Sequence, residues 1–253
     1  RDWDIEAMIR LMVTSATYRQ SARVTPDLLE HDPYNRLYAR GPRFRMEAEM
    51  IRDMSMAVSG LFNPKIGGPS VYPFQPPGLW EEKSLDKYRS QQWETNTDGD
   101  QYRRGLYTYL RRSVPYPMMT TFDAPSREFC TARRPRTNTP LQAMVTLNDP
   151  VFVECARAFA QRILIEGGQA DAARINFAFR AALSRDPSQQ EASVLAGLLE
   201  RQLEHYKSSP PEAVELLTYG EAPIDESIDK AALAAWTVVA NVLLNLDETI
   251  TKG

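Results

Sequence analysis

The thirty residues TPLQAMVTLNDPVFVECARAFAQRILIEGG, 139–168, decide the fold class. Thr139-Pro140-Leu141-Gln142 reads as a capping box with proline at the first helical position, where a missing N–H costs nothing. Asp149-Pro150 repeats the start signal, and Gly167-Gly168 stops the second helix. Two successive helices are therefore predicted, and the chain beyond them continues in the same way. Ala172 to Leu183 reads as a helix with Ile175, Phe179 and Ala182 inward. Ser188-Gln189-Gln190-Glu191 is a second capping box, opening a helix to about Tyr206. The last helix runs from about Asp229 to Leu246. Its stretch from Ala231 is almost wholly apolar but covers sixteen residues, against about 20 for a membrane span. Thr237, Asn241 and Asn245 sit four apart on it, so one polar stripe is expected to bond to neighbours in a core helix.

On the N-terminal side, Trp3, Ile5, Met8, Ile9, Met12 and Val13 recur at helical spacing over 3–17. Arg19 to Pro42 reads as loop, with helical turns after Pro26 and Pro33. Residues 43–59 predict a helix with Met46, Met50, Met54 and Val58 on its packing stripe and Gly60 closing it. The stretch NPKIGGPSVYPFQPPGLW, 63–80, cannot be a regular helix. Gln101 to Arg112 is expected to be helical again. The fold class is thus mainly α, an irregular helical domain with a long Pro/Gly-rich loop region around 61–100. Residues 1–253 read as a single domain, within which 1–138 would form an Arg-rich lobe and 139–253 an acidic helical lobe.

Composition narrows the function classes. Thirty Lys+Arg against 33 Asp+Glu give a net charge of −3, unsuited to general nucleic-acid binding. The charge is uneven: residues 1–150 carry 21 basic and 18 acidic side chains (+3), and 151–253 carry 9 and 15 (−6). Two Cys and two His exclude a disulfide framework and a His-rich metal site. The chain opens at Arg1 with no apolar leader, so it reads as a piece of something longer.

The densest chemistry lies at Arg103–Asn138. Eight arginines (103, 104, 111, 112, 127, 133, 134 and 136) face only Asp123 and Glu128, with five Tyr and Phe residues interleaved and Tyr102 just before them. Guanidiniums among aromatics suit a sulfated, carboxylated or phosphorylated ligand. Arg103, Arg104, Arg127, Arg133 and Arg134 are the candidate anion ligands, with Asn138 and Gln142 supplying neutral hydrogen bonds. Internal pairing with the acidic second half is the competing expectation. Asp123 and Glu128 are weak candidates for an acid/base pair, and Asp123 serves equally well as a helix cap. The run Asn96-Thr97-Asp98-Gly99-Asp100 resembles the start of a calcium loop. It has Gln101 and Tyr107 where glycine and glutamate are needed, so it reads as a turn and no metal site is expected. Cys130 and Cys155 could be paired or free. No Cys-x-x-Cys-His is present, so this segment attaches no c-type haem.

Several stretches in order resemble one known pattern. They are Thr14-Ser15-Ala16-Thr17-Tyr18-Arg19-Gln20-Ser21, Ala48-Glu49-Met50-Ile51-Arg52-Asp53 and Tyr102-Arg103-Arg104. Phe122 to Glu128, Arg133 to Ala143, Leu147 to Pro150, and Ala235-Trp236 to Glu248 follow. Together they are similar to the C-terminal domain of unknown function in planctomycete-type cytochrome c proteins. The resemblance implies an extracytoplasmic module, in the periplasm or at the cell surface. The parent would carry a c-type haem in an upstream domain, which becomes a candidate partner, and a polysaccharide would be the candidate ligand. It supplies no catalytic residues. Three functions follow as expectations: binding of an anionic glycan or partner domain through the Arg-rich segment, a glycan-active hydrolase or haem-coupled oxidoreductase, or a purely structural docking domain.

Overall fold

The computed structural model describes residues 3–76, 78–79 and 93–253; residues 77 and 80–92 of the expected irregular stretch lie outside the described residues. Helices dominate, with two strands of two residues each among the described residues, so the chain is mainly α. It divides into two compact units, residues 1–46 with 251–253, and residues 47–250. Residues on both sides of position 138 therefore belong to the second unit.

The first unit holds α1 (Ile5–Thr14), α2 (Pro26–His31) and β1 (Phe44–Arg45), which pairs antiparallel with β2 (Thr251–Lys252). Asp4 and Thr25 cap the two helices through their side chains. The Asp32 carboxylate accepts from the backbone N–H groups of Arg36 and Leu37, and Arg40 donates to the carbonyls of Asp32 and Pro33. The sequence predicts α1, yet it buries no residue.

The second unit is built on α6 (Pro150–Glu166) and α10 (Lys230–Leu244). Around them lie α3 (Ala48–Ser59), α5 (Pro140–Asn148), α7 (Asp171–Leu183), α8 (Gln189–Ser208) and α9 (Pro210–Leu217). Short α4 (Pro117–Thr121) packs on α3 and α5, and α11 (Asp247–Ile250) follows α10. Phe159, Ile163, Leu233, Trp236, Val239 and Leu243 fill the interface of the two central helices. Two of the three residues of the polar stripe on α10 bond to the neighbouring α5 as predicted, and the third bonds within its own helix. Asn241 donates to the Leu147 carbonyl at 3.2 Å, Asn245 accepts from Thr146, and Thr237 bonds back to Leu233. Among the described residues no helix is long and apolar enough to cross a membrane.

Three local expectations change. Helix α3 buries Ala48, Ile51, Arg52, Ser55, Met56, Val58 and Ser59, so of the predicted stripe Val58 is in the core and Met54 packs against it, whereas Met50 is exposed and the packing face is centred on Ile51, Ser55 and Met56 instead. Residues 101–112 form only two short 3₁₀ turns, because their backbone pairs with the Pro/Gly loop instead of with itself. Asn63 donates to the Tyr102 carbonyl, Val71 donates to Tyr107, and Tyr109 donates back to Val71. The box at 139–142 does not close. Pro140 opens the helix, but the Gln142 side chain turns to the Thr121 carbonyl and the Thr137 hydroxyl. The box at Ser188–Glu191 does close.

Candidate functional site

The Arg-rich segment begins as a strut. Arg103 is fully buried, and its guanidinium donates to the carbonyls of Lys65 (3.3 Å), Pro69 (3.3 Å) and Gly67. It also stacks 4.0 Å from the Tyr107 ring and lies 3.8 Å from Asp100. A planar, five-donor group suits the closely spaced carbonyls of a non-helical loop, and here it fixes that loop in place. The neighbouring run 96–100 is a turn: Gly99 has φ 87°, Asp98 accepts from the Asp100 N–H, and Lys65 pairs with Asp100 at 3.0 Å. No cluster of metal-ligating side chains occurs among the described residues.

Arg134 is likewise committed. It forms a two-pronged bond to Glu49 (2.7 and 3.1 Å) and lies 3.1 Å from Glu47. Burial pushes the Glu49 carboxyl up, but Arg134, helped by Arg127, holds it below its ordinary range. The partners of Arg103 and Arg134 thus come from the first half of the chain, not from the acidic second half. Asp123, with φ 61°, accepts from both the N–H and the hydroxyl of Thr137 at 2.8 Å, closing the loop that carries Arg127 and Arg133. Glu128 is exposed. Gln142 is buried inside this loop's base, and its Oε1 finds no donor among the described residues. Asn138, Arg104, Arg127 and Arg133 are exposed, with Arg104 lying 5.1 Å over the Phe62 ring. Among the described residues Arg127 and Arg133 form no ion pair or side-chain hydrogen bond, and the exposed ring of Phe129 lies between them in sequence.

Below the Arg103 strut is a polar network that the sequence reading does not single out. Arg52, 1% exposed, donates to the carbonyls of Arg103 (2.7 Å) and Gln101, while its Nε has no acceptor among the described residues. Asp53 accepts from the Gly105 N–H at 2.6 Å, and burial raises its carboxyl pKa. Glu154 accepts from Tyr102 Oη (2.6 Å) and from the backbone N–H groups of Glu221 (2.7 Å) and Ala222 (2.8 Å). Arg157 donates to the carbonyls of Tyr219 (3.1 Å) and Ala222 (2.7 Å). Burial and the Glu154 bond push the Tyr102 hydroxyl pKa well up, and burial lowers that of Arg157. A signal for this network exists in the sequence. Arg52 lies on the apolar face of α3, and Glu154 and Arg157 stand three apart inside the run VFVECARAFA.

These features define a helical module with internally braced arginines, an exposed arginine surface and a separate polar cleft. Residues 1–199 match the PSD1 family, described as a protein of unknown function (DUF1553), and the chain belongs to that family. No curated protein and no solved structure matches it.

Proposed function

We propose that this chain is a recognition module that binds an acidic glycan, sulfated or carboxylated, at the 122–138 loop. The observation that supports this reading is the pair of exposed arginines, Arg127 and Arg133, without ion-pair partners among the described residues. Arg134 and Asp123 hold the loop from beneath, so its arginines are presented from a fixed base. A loop whose backbone is already held loses less freedom on binding than a mobile one. In this reading Arg103 and Arg134 position the surface, Gln142 and Asn138 complete its base and rim, and Arg104, Arg127 and Arg133 touch the ligand.

The setting belongs to the same proposal: an extracytoplasmic protein with a c-type haem carried by a preceding domain. The cysteines here, exposed Cys130 and buried Cys155, suit no haem attachment. Calorimetric titration with heparin oligosaccharides, polygalacturonate and neutral dextran, at low and high salt, tests the reading. Binding of the acidic chains only, weakened by salt and lost in Arg127→Ala/Arg133→Ala, is expected. Equal affinity for dextran, or no effect of the double substitution, overturns it.

A further inference from the structure

A cleft of 360 Å³ is lined by Arg52 and Glu154 of the buried polar network. Its volume falls at the small end of the about 300–1,000 Å³ typical of small-molecule sites. Its chemistry is unusual for a surface depression. Arg52 is almost completely buried and has an N–H lacking any acceptor among the described residues. A buried donor left unpaired is costly, so an acceptor brought by a ligand would relieve a standing penalty. The lining also includes two acidic residues, Glu154 and Glu221. A further anion would meet two like charges there, and a free cation would meet Arg52. The cleft therefore favours an uncharged ligand.

The remaining walls describe that ligand's shape. Phe74, Tyr102 and Tyr219 supply flat rings, against which the C–H faces of a saturated ring pack well. Thr95, Thr97 and Gln101 supply neutral hydrogen-bonding groups. We propose that this cleft is a binding site for a neutral sugar, one or two rings in size. An oxygen of the sugar accepts from Arg52, its hydroxyls bond to the threonines and the carboxylates, and a ring face lies on Tyr219. This site is distinct from the exposed arginine surface and stands without it.

The cleft rim is already held in shape. Glu154 and Arg157 between them bind the backbone of residues 219, 221 and 222, so Tyr219 is fixed from below although its ring is exposed. That arrangement makes Tyr219 and Thr97 removable without disturbing the buried network. Saturation-transfer NMR and calorimetry would be run on the chain with methyl β-glucoside, methyl β-galactoside, N-acetylglucosamine, cellobiose and glucuronate. At least one neutral sugar is expected to bind, with affinity insensitive to salt. Tyr219→Ala and Thr97→Val should each weaken it about tenfold or more while the thermal midpoint holds. Arg127→Ala/Arg133→Ala should leave it unchanged, which separates this site from the acidic-glycan surface. Binding of glucuronate alone, no binding of any neutral sugar, or affinity unmoved by both rim substitutions overturns the proposal.

Discussion

Tyr102 donates to Glu154 across 2.6 Å, joining the start of the Arg-rich segment to the buried face of α6. The same Glu154 oxygen accepts from two backbone N–H groups, so a single carboxylate ties together three stretches distant in sequence. A hydrogen bond to a charged acceptor is worth about 1.5–3 kcal/mol. Tyr102→Phe removes that bond and keeps the ring, and the two backbone donors remain to satisfy the carboxylate. Its expected cost is therefore near the low end, about 1.5 kcal/mol, read as a lower urea midpoint with unchanged slope.

Arg103 is the second brace, and its geometry separates charge from shape. Three loop carbonyls and the Tyr107 ring surround the guanidinium. Lysine keeps the charge but cannot reach three carbonyls in one plane or stack on the ring. Arg103→Lys is expected to lose about 2 kcal/mol or more, and Arg103→Ala more still. Proteolysis between residues 63 and 71 should speed up in both. Full stability in Arg103→Lys would show that charge alone holds the loop.

The parts of this architecture that were legible in the sequence are those specified locally. Asp149-Pro150, Ser188–Glu191 and the four-residue spacing of Thr237, Asn241 and Asn245 act within one helix or between adjacent ones. The 101–112 segment was not legible, because Tyr102, Tyr107 and Tyr109 give their backbone bonds to residues 63 and 71. No helical periodicity can report a partner about 40 positions away. The arginines looked alike by composition and part company by burial: Arg103 and Arg134 are braces, whereas Arg127 and Arg133 are exposed. The cleft was missed for the same reason. Arg52, Glu154 and Tyr219 converge only through the tertiary fold, and each alone reads as a charged or aromatic residue on a helix or turn.

Glu191 gives a pH dependence with a definite sign. Arg185 at 2.6 Å, helped by Ser188, pulls its carboxyl down to about 2. A depressed carboxyl contributes stability above its unfolded value, about 4.3, and loses it as pH falls toward the folded value. Both partners are more than one-third exposed, so solvent screening reduces the contribution to about 1 kcal/mol. Glu191→Gln should therefore cost about 1 kcal/mol at pH 7, and most of that cost should be gone by pH 2, where the carboxyl is largely protonated in the unfolded chain and half protonated in the folded one. Denaturation series at the two pH values check this; an equal loss at both would mean that the lost stability does not come from the ionised carboxylate.

The two cysteines should react on different terms. Both are free, Cys130 is exposed, and Cys155 is enclosed in the core, where burial pushes its thiol up to about 12. Since the thiolate is the reactive form, Cys155 is shielded twice, by access and by protonation. A thiol-titrating reagent at pH 8 should modify one cysteine in the folded chain and two in denaturant. Cys130→Ser should abolish the first reaction and leave the second.

Two glycines on unit 47–250 make opposite predictions from the same substitution. Gly220 has φ 89°, a region L side chains rarely adopt, and a Cβ there would collide with the Glu154 carboxylate. Gly220→Ala must either push Glu154 away from its three donors or shift the 219–222 turn off Arg157. Strain plus loss of those bonds puts the expected cost at about 3 kcal/mol or more. Gly197 lies inside α8 with only the flexible end of Arg201 within 3.5 Å of a built Cβ. There alanine removes backbone freedom from the unfolded chain without strain, so Gly197→Ala should gain about 0.5–1 kcal/mol. Thermal midpoints moving in opposite directions establish that the Gly220 penalty is local to the Glu154 contact. A Gly220→Ala midpoint close to that of the unsubstituted chain would mean that the turn can move aside, and that Tyr219 is not fixed over the cleft.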